Sequence, residues 1–284
     1  MRFEAAKMKR RIISDYVFNG IILLVSTICA IPLIFILYFI IKQGISAINW
    51  QFLVNIPKPV GETGGGILNA IIGSLILVAM AAVMAIPVAV IAGVYVAENK
   101  DTRVAKLTRF CAELLQGVPS IVIGIIAYIW VVKPSGHFSA ISGSIALAIM
   151  MLPVIIRTTE ETVSMIPGSI KEASLALGVP YYKTMLSIVI PSGFSGIITG
   201  IIISVARVAG ETAPLLFTSF GNPFVSVDPG KPIASLPQGI FLYAMSPYKD
   251  WKQQAWGESF ILLSVILVMS LLSKFLTRRW KIQF

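Results

Sequence analysis

Arg207 and Glu211 stand four residues apart in the stretch ARVAGETAPLLF, residues 206–217, at the end of a long apolar run. Four residues is about one helical turn, so a helix continued through this stretch would carry both side chains on one face. Charges inside an apolar helix are costly and usually face a bundle interior or a water-filled path. Two readings follow. Either the two charges simply neutralise one another near the end of the run, or they form an anion site. A guanidinium offers a planar fork of donors that matches phosphate oxygens. Glu211 would orient that fork, or would accept a hydrogen bond from a protonated phosphate, which fully ionised sulfate cannot offer. Ala209 and Gly210 keep the neighbourhood open, and Thr212 adds a hydroxyl.

The elements that must hold these residues are set by hydropathy. The chain has 284 residues, 56% hydrophobic and 13% charged, with mean hydropathy +0.86. A soluble domain carries about 25% charged residues, so the composition predicts an all-α polytopic membrane protein. Six apolar runs are near the length of about 20 residues that a span requires. They lie at Val17–Ile41, Ile67–Ala97, Leu114–Val132, Phe138–Ile156, Ser192–Gly210 and Ser259–Leu276. The first is too long for a cleavable signal peptide and reads as a retained span. Pro87 is a candidate kink in the second. The third and fourth, joined by Lys133–His137, form an antiparallel hairpin.

Lysine and arginine set the orientation. Arg2, Lys7, Lys9, Arg10 and Arg11 precede the first run, and Lys100, Arg103, Lys106 and Arg109 follow the second. Arg157, Lys171 and Lys183 follow the fourth, and Lys274, Arg278, Arg279 and Lys281 close the chain. These outnumber Lys42, Lys58, Lys133, Lys231, Lys249 and Lys252 on the other side. The positive-inside rule then places both termini in the cytoplasm, and an even number of spans agrees. The parts are a cytoplasmic segment 1–16, a first span 17–41, a core 67–276 and a cytoplasmic tail 277–284. Residues 212–258, with six prolines, form a long outer segment, and Trp251 and Trp256 suit the interface belt before the last span.

Several chemistries are excluded. The net charge of +10 follows the membrane-orientation pattern and forms no basic patch interleaved with aromatics, so nucleic acid is not a partner. Cys29 and Cys111 lack a C-x-x-C spacing. His137, the only histidine, reads as a solvated turn residue without partners for a metal or a relay. No nucleophile–base–orienter set and no H-E-x-x-H occurs in the spans. Gly61–Gly66 reads as a flexible outer hinge more readily than as a phosphate nest. No cofactor is called for.

Residues 168–191, GSIKEASLALGVPYYKTMLSIVIP, lie on the basic side yet are rich in apolar and small residues. A short helix through Ala173, Ser174 and Leu177 should end at Gly178-Val179-Pro180. Such a hairpin either packs on this chain's own spans or docks a partner, since exposed apolar residues need a cover. Glu172-Ala173-Ser174, three residues, Gly178, nine residues, then Ile188-Val189-Ile190-Pro191 resembles the EAA loop of ABC importer permeases, with Ser174 for the second alanine and Ile190 for leucine. The stretch 206–218 and Gly64-Gly65-Gly66-Ile67-x-Asn69-Ala70-Ile71 resemble the PstA family of phosphate ABC permeases.

That resemblance implies a six-span, type I (MetI-like) importer permease in a prokaryotic inner or plasma membrane. It implies a coupling role for Glu172, Ala173, Ser174, Gly178, Ile188 and Pro191 against a cytoplasmic ATPase, and a phosphate path at Arg207, Glu211 and Thr212. The partners it implies are a PstC-like second permease, two PstB-like ATPase subunits and a PstS-like extracytoplasmic phosphate-binding protein. The chain has no G-x-x-x-x-G-K-[ST] of its own, so ATP hydrolysis falls to a separate subunit. The alternative is a secondary anion transporter driven by an ion gradient, for which Glu211 is the one acid near a suitable depth.

Overall fold

Among the described residues four helices are long and apolar enough to cross a membrane: Ser14–Ala47, Leu68–Glu98, Ala140–Ser164 and Lys249–Leu272. Two further pairs of helices are apolar enough together for a span and are sharply bent, Arg103–Gly117 with Ser120–Ser135 by 108° and Tyr181–Ser192 with Phe194–Ala209 by 68°. The computed structural model describes residues 2–62 and 64–279. Met1 of the N-terminal segment, Thr63 of the glycine-rich stretch and 280–284 of the expected tail lie outside the described residues. The helices are α1 (Arg2–Ala47), α2 (Trp50–Val54), α3 (Leu68–Glu98), α4 (Arg103–Gly117), α5 (Ser120–Ser135), α6 (Ala140–Ser164), α7 (Gly168–Ala176), α8 (Tyr181–Ser192), α9 (Phe194–Ala209), α10 (Ala213–Thr218), α11 (Leu236–Ala244) and α12 (Lys249–Arg279).

The two breaks shift spans that the sequence places elsewhere. Leu114–Gly117 belong to amphipathic α4, and the third span begins at Ser120. Pro119 has no N–H to donate and pushes Val118 to extended backbone (φ −74°, ψ 128°), which ends the first helix. The fifth span begins at Phe194, not Ser192, because the chain turns at Gly193. Pro87 does not interrupt α3.

The bundle is built around α6. In the most apolar stretch of α6 67% of the residues are buried, against 0% in α1. Along α3, Gly73, Leu77, Ala81, Ala85, Ala89, Gly93 and Ala97 recur every fourth residue and all are buried. Mostly small side chains at this spacing let helix backbones approach, the usual device where lipid gives no hydrophobic driving force between helices. A Cβ on Gly93 would stand 2.8 Å from the Ile156 carbonyl oxygen of α6. Gly196 and Gly200 of α9 sit in the same way on Thr162 and Thr158. Gly200→Ala should therefore cost about 1–3 kcal/mol by overpacking, read as a lower thermal midpoint of the detergent-solubilised protein. Gly20→Ala, where a Cβ meets nothing within 4 Å, should leave the midpoint unchanged or higher.

The long outer segment 212–258 is folded onto the bundle. Helices α10 and α11 fold back into one end of the bundle, and Thr218, Ser219, Ile233 and Ser235 are buried. The Ser139 N–H donates to the Thr218 carbonyl at 3.1 Å and the Ala140 N–H to the Lys231 carbonyl at 2.9 Å. The Leu236 N–H donates to Ser74 Oγ at 2.8 Å. Trp251 packs edge-on against Tyr243 and Tyr248. Nor do the glycines before α3 form a free hinge. Gly61 and Gly64 take φ of +91° and +80°, and Asn55 Nδ2 donates to the Gly64 carbonyl at 3.0 Å. The Gly66 N–H donates to the Ile56 carbonyl at 3.0 Å. A side chain on Gly66 would collide with the carbonyls of Phe52 and Asn55. His137 is exposed beside Gly136, as a turn residue should be.

Candidate functional site

The residues singled out by sequence fall at opposite ends of the bundle. Arg207, Glu211 and Thr212 lie at the end that carries α10 and α11. Glu172, Ala173, Ser174, Gly178, Ile188 and Pro191 lie at the other, where α3 ends and the connections rich in lysine and arginine gather. The free ends of α1 and α12 point to this second end, because Gly44 packs on Trp256 and Phe260 at the start of α12.

Helix α9 buries Ile197, Gly200, Ser204 and Val208 toward its neighbours. Arg207 occupies the uncovered side with Ile203, one turn earlier, and both are exposed. It lies about 20 Å along the helix from Phe194 at 1.5 Å per residue. Lipid is an expensive neighbour for a guanidinium, so this face is suited to a water-filled path or a polar partner surface. The helix ends at Ala209. Gly210 caps it, and the Glu211 N–H donates to the Val208 carbonyl at 3.1 Å. The two charges therefore do not continue on one helix face. Among the described residues no salt bridge joins Arg207 to Glu211 or to any other acid. Thr212 Oγ1 donates to the Pro237 carbonyl at 3.4 Å, which ties the break after α9 to α11.

At the other end α7 and α8 form a hairpin. Gly178 has φ +78°, the left-handed residue that closes a helix and is easiest for glycine. The Gly178 N–H donates to the Leu175 carbonyl at 2.9 Å, and the Val179 N–H to the Ser174 carbonyl at 3.3 Å. Pro180 then starts α8. Ser174 is buried and its hydroxyl lies 2.9 Å from Thr184 Oγ1. The departure from alanine at this position is thus part of a polar lock between the two helices. Lys171 pairs with Glu98 at the end of α3, and the Tyr181 hydroxyl donates to the same carboxylate at 3.2 Å.

The inner face of the hairpin packs on the spans through Ile170, Met185, Val189 and Ile190 with Ala97, Val163 and Ile197. Its outer face is bare. Glu172 and Ala173 are exposed, Leu177 is 83% exposed, Tyr182 67% and Leu186 64%. Ile188 is half-buried and Pro191 exposed. The hairpin therefore meets the first of the two expectations left open by the sequence, packing on this chain's own spans. One face packs on this chain, and the other presents apolar surface that calls for a partner.

The sequence reading missed a charge cluster beside this hairpin. Arg109 of α4 donates from Nε and Nη2 to Glu160 Oε1 of α6 at 2.9 and 2.7 Å. Arg157 donates to Glu161 at 2.6 Å and stands 4.0 Å from Glu113 and Glu160. Acids three and four residues after Arg157 are a helical pairing signal that counting basic residues passes over. Arg109→Ala would leave the buried Glu160 carboxylate with a distant counter-charge. The loss is about 2 kcal/mol, less than for a fully buried pair because the Arg109 side chain is 27% exposed. It should appear as a lower thermal midpoint and faster proteolysis at the α4–α5 elbow.

Known proteins place this geometry. The family described as "Binding-protein-dependent transport system inner membrane component" matches residues 85–282. The "Phosphate transport system permease protein PstA" of Yersinia pestis is 41% identical over 243 residues, covering 85% of this chain and 82% of that protein. The protein so named in Pasteurella multocida is 35% identical over 274 residues, 96% and 95% of the two chains. A methionine ABC transporter structure, MetNI in an inward-facing conformation, superposes with TM-score 0.60 at 15% identity over 76% of this chain and 98% of that one. At that identity the likeness establishes the fold, a MetI-like permease bundle. With a matched stretch covering most of the chain and full-length relatives well above 30% identity, the chain belongs to the binding-protein-dependent transport system inner membrane component family, in its PstA branch.

Proposed function

We propose that this chain is a permease subunit of an ATP-driven importer of inorganic phosphate and lines half of the translocation path. The observation that carries the reading is the placement of Arg207, an exposed guanidinium on the uncovered face of an otherwise apolar helix. The family supplies the context, since its 41% identical relative is named for phosphate transport. In this reading Arg207 faces a path shared with a PstC-like permease. It receives phosphate through its two-pronged fork, while Glu211 and Thr212 shape the outer rim. A PstS-like binding protein delivers phosphate to the end with α10 and α11. The complex carries two PstB-like ATPase subunits, and one of them receives the bare face of the α7–α8 hairpin, within the segment 168–191 of the permease core 67–276, in a groove. ATP hydrolysis belongs to those subunits. Both ends of the chain then lie in the cytoplasm of a prokaryote, as the lysine and arginine pattern requires.

The mechanism follows from the anchors. Closing the ATPase dimer pushes on Ala173, Leu177 and Tyr182. Ser174–Thr184 makes the hairpin move as one piece, and Lys171 and Tyr181 pass its displacement to Glu98 and so to α3. The small-residue seam joins α3 to α6, and α6 to α9, which holds Arg207. The test is reconstitution of the four kinds of subunit in liposomes. Uptake of labelled phosphate should require ATP, the binding protein and this chain together. Uptake by this chain alone under an ion gradient would instead establish a secondary transporter, in which the bare hairpin face has no role.

A further inference from the structure

Four of the five buried side-chain atoms without a hydrogen-bond partner among the described residues line one cavity of about 300 Å³. They are Asn69 Oδ1, Ser235 Oγ, Gln238 Oε1 and Glu258 Oε2. None of these residues is more than 5% exposed, and Glu258 is 0% exposed. They come from three elements, the first turn of α3, the start of α11 and the outer part of α12. Such atoms are costly to bury unpaired, and their four residues line the same cavity, which calls for a ligand.

Two of the amide donors nearby are already committed. Asn69 Nδ2 donates to the Asn222 carbonyl at 2.7 Å, which leaves its oxygen facing the cavity. Gln254 Nε2 divides itself between the Gly66 carbonyl at 3.2 Å and Glu258 Oε1 at 3.4 Å. No lysine or arginine lines the cavity. An anion, phosphate included, would meet the Glu258 carboxylate with no basic side chain to offset it. Two glycines keep the walls close. A Cβ on Gly239 would collide with Glu258 Oε2, and one on Gly221, at φ +87°, would stand 3.4 Å from Gln238 Oε1.

A proton on Glu258 would remove the charge but engage one neighbouring oxygen. Water would engage the oxygens and leave a buried carboxylate charge uncompensated. A hard cation does both, since it neutralises the carboxylate and takes carboxylate, amide and hydroxyl oxygens of this kind as ligands. One carboxylate with three neutral oxygens suits a single positive charge, whereas calcium sites gather several carboxylates. We propose that the cavity formed by Asn69, Ser235, Gln238 and Glu258 is a site for a monovalent alkali cation, which fastens α11 to α3 and α12. Arg207 does not line it, so the site is separate from the proposed phosphate path.

The test uses the complete transporter complex, purified and exchanged into N-methyl-D-glucamine chloride. Labelled sodium should bind saturably with one site per copy of this chain. Added sodium chloride should raise the thermal midpoint above that in N-methyl-D-glucamine chloride of equal ionic strength. Glu258→Gln should abolish both responses. Gln238→Leu and Gly239→Ala should each weaken sodium binding at least tenfold, and they serve should Glu258→Gln fail to assemble. Absence of saturable binding of sodium and of rubidium, used as a potassium probe, would overturn the proposal. So would binding that persists unchanged in all three variants, since the ion would then sit elsewhere in the complex. A protonated-carboxyl infrared band lost in Glu258→Gln, without cation binding, would identify a proton as the occupant and refute the cation.

Discussion

Arg207→Ala should reduce ATP-driven phosphate uptake by between tenfold and a hundredfold while the complex still assembles. Hydrogen bonds to a charged group contribute about 1.5–3 kcal/mol net, and each 1.4 kcal/mol is a factor of ten. The side chain makes no salt bridge within the described residues and lies on the uncovered face of α9. Its removal takes no support from the fold, so the thermal midpoint and subunit stoichiometry should stay near those of the unaltered complex. Arg207→Lys separates charge from shape. Lysine keeps the positive charge and loses the planar fork, so uptake should remain about tenfold low. Normal uptake with lysine would show that charge alone suffices. Normal uptake with alanine would mean that the guanidinium faces away from the path.

Ala173→Trp should uncouple the machine from the opposite end. Ala173 is exposed on α7, and an exposed helix position tolerates tryptophan at a cost of about 0.5 kcal/mol. The hairpin should therefore fold, with a bulky ring projecting where an ATPase groove would close on it. Binding-protein-stimulated ATPase activity should fall at least tenfold, and co-purified ATPase subunits should decline. Gly178 is altered in two ways for contrast. Gly178→Val forces a β-branched residue into the left-handed region, at about 1–3 kcal/mol of strain. Gly178→Asn is tolerated there far better, and a Cβ at this position meets nothing within this chain. Loss of coupling in both variants would place a partner's surface against Gly178. Loss in valine alone would confine the glycine's role to closing α7. Full coupling in Ala173→Trp would remove the hairpin from the ATPase interface.

Much of this protein was legible in one dimension. Long apolar runs state that helices cross a membrane, because unsatisfied backbone groups cannot be left in lipid. The first, second, fourth and last spans follow from that rule, and the EAA-like spacing marks the hairpin because a tight turn at Gly178 needs glycine wherever it occurs. Arg207 was conspicuous because an arginine among isoleucines, valines and alanines needs a reason.

Other features depended on distance in space. The chain turns at Pro119 and Gly193 within runs whose hydropathy is continuous, so the third and fifth spans began later than the apolar residues did. The region 212–258 reads as a proline-rich loop because its pieces are too short to span. Its burial depends on partners as remote as Asn69, Ser74 and Ser139. Residue types and their spacing therefore determined that this chain is a membrane bundle with a glycine-closed hairpin and an arginine within an apolar run, since those follow from local solvation and backbone geometry. Only the tertiary structure decided that Arg207 and Glu211 part company, that Ser174 locks to Thr184, and that Glu258 closes a cavity with Asn69. The first depends on where the helix ends at Gly210 and the second on how the hairpin closes, while the third depends on packing across a long sequence separation.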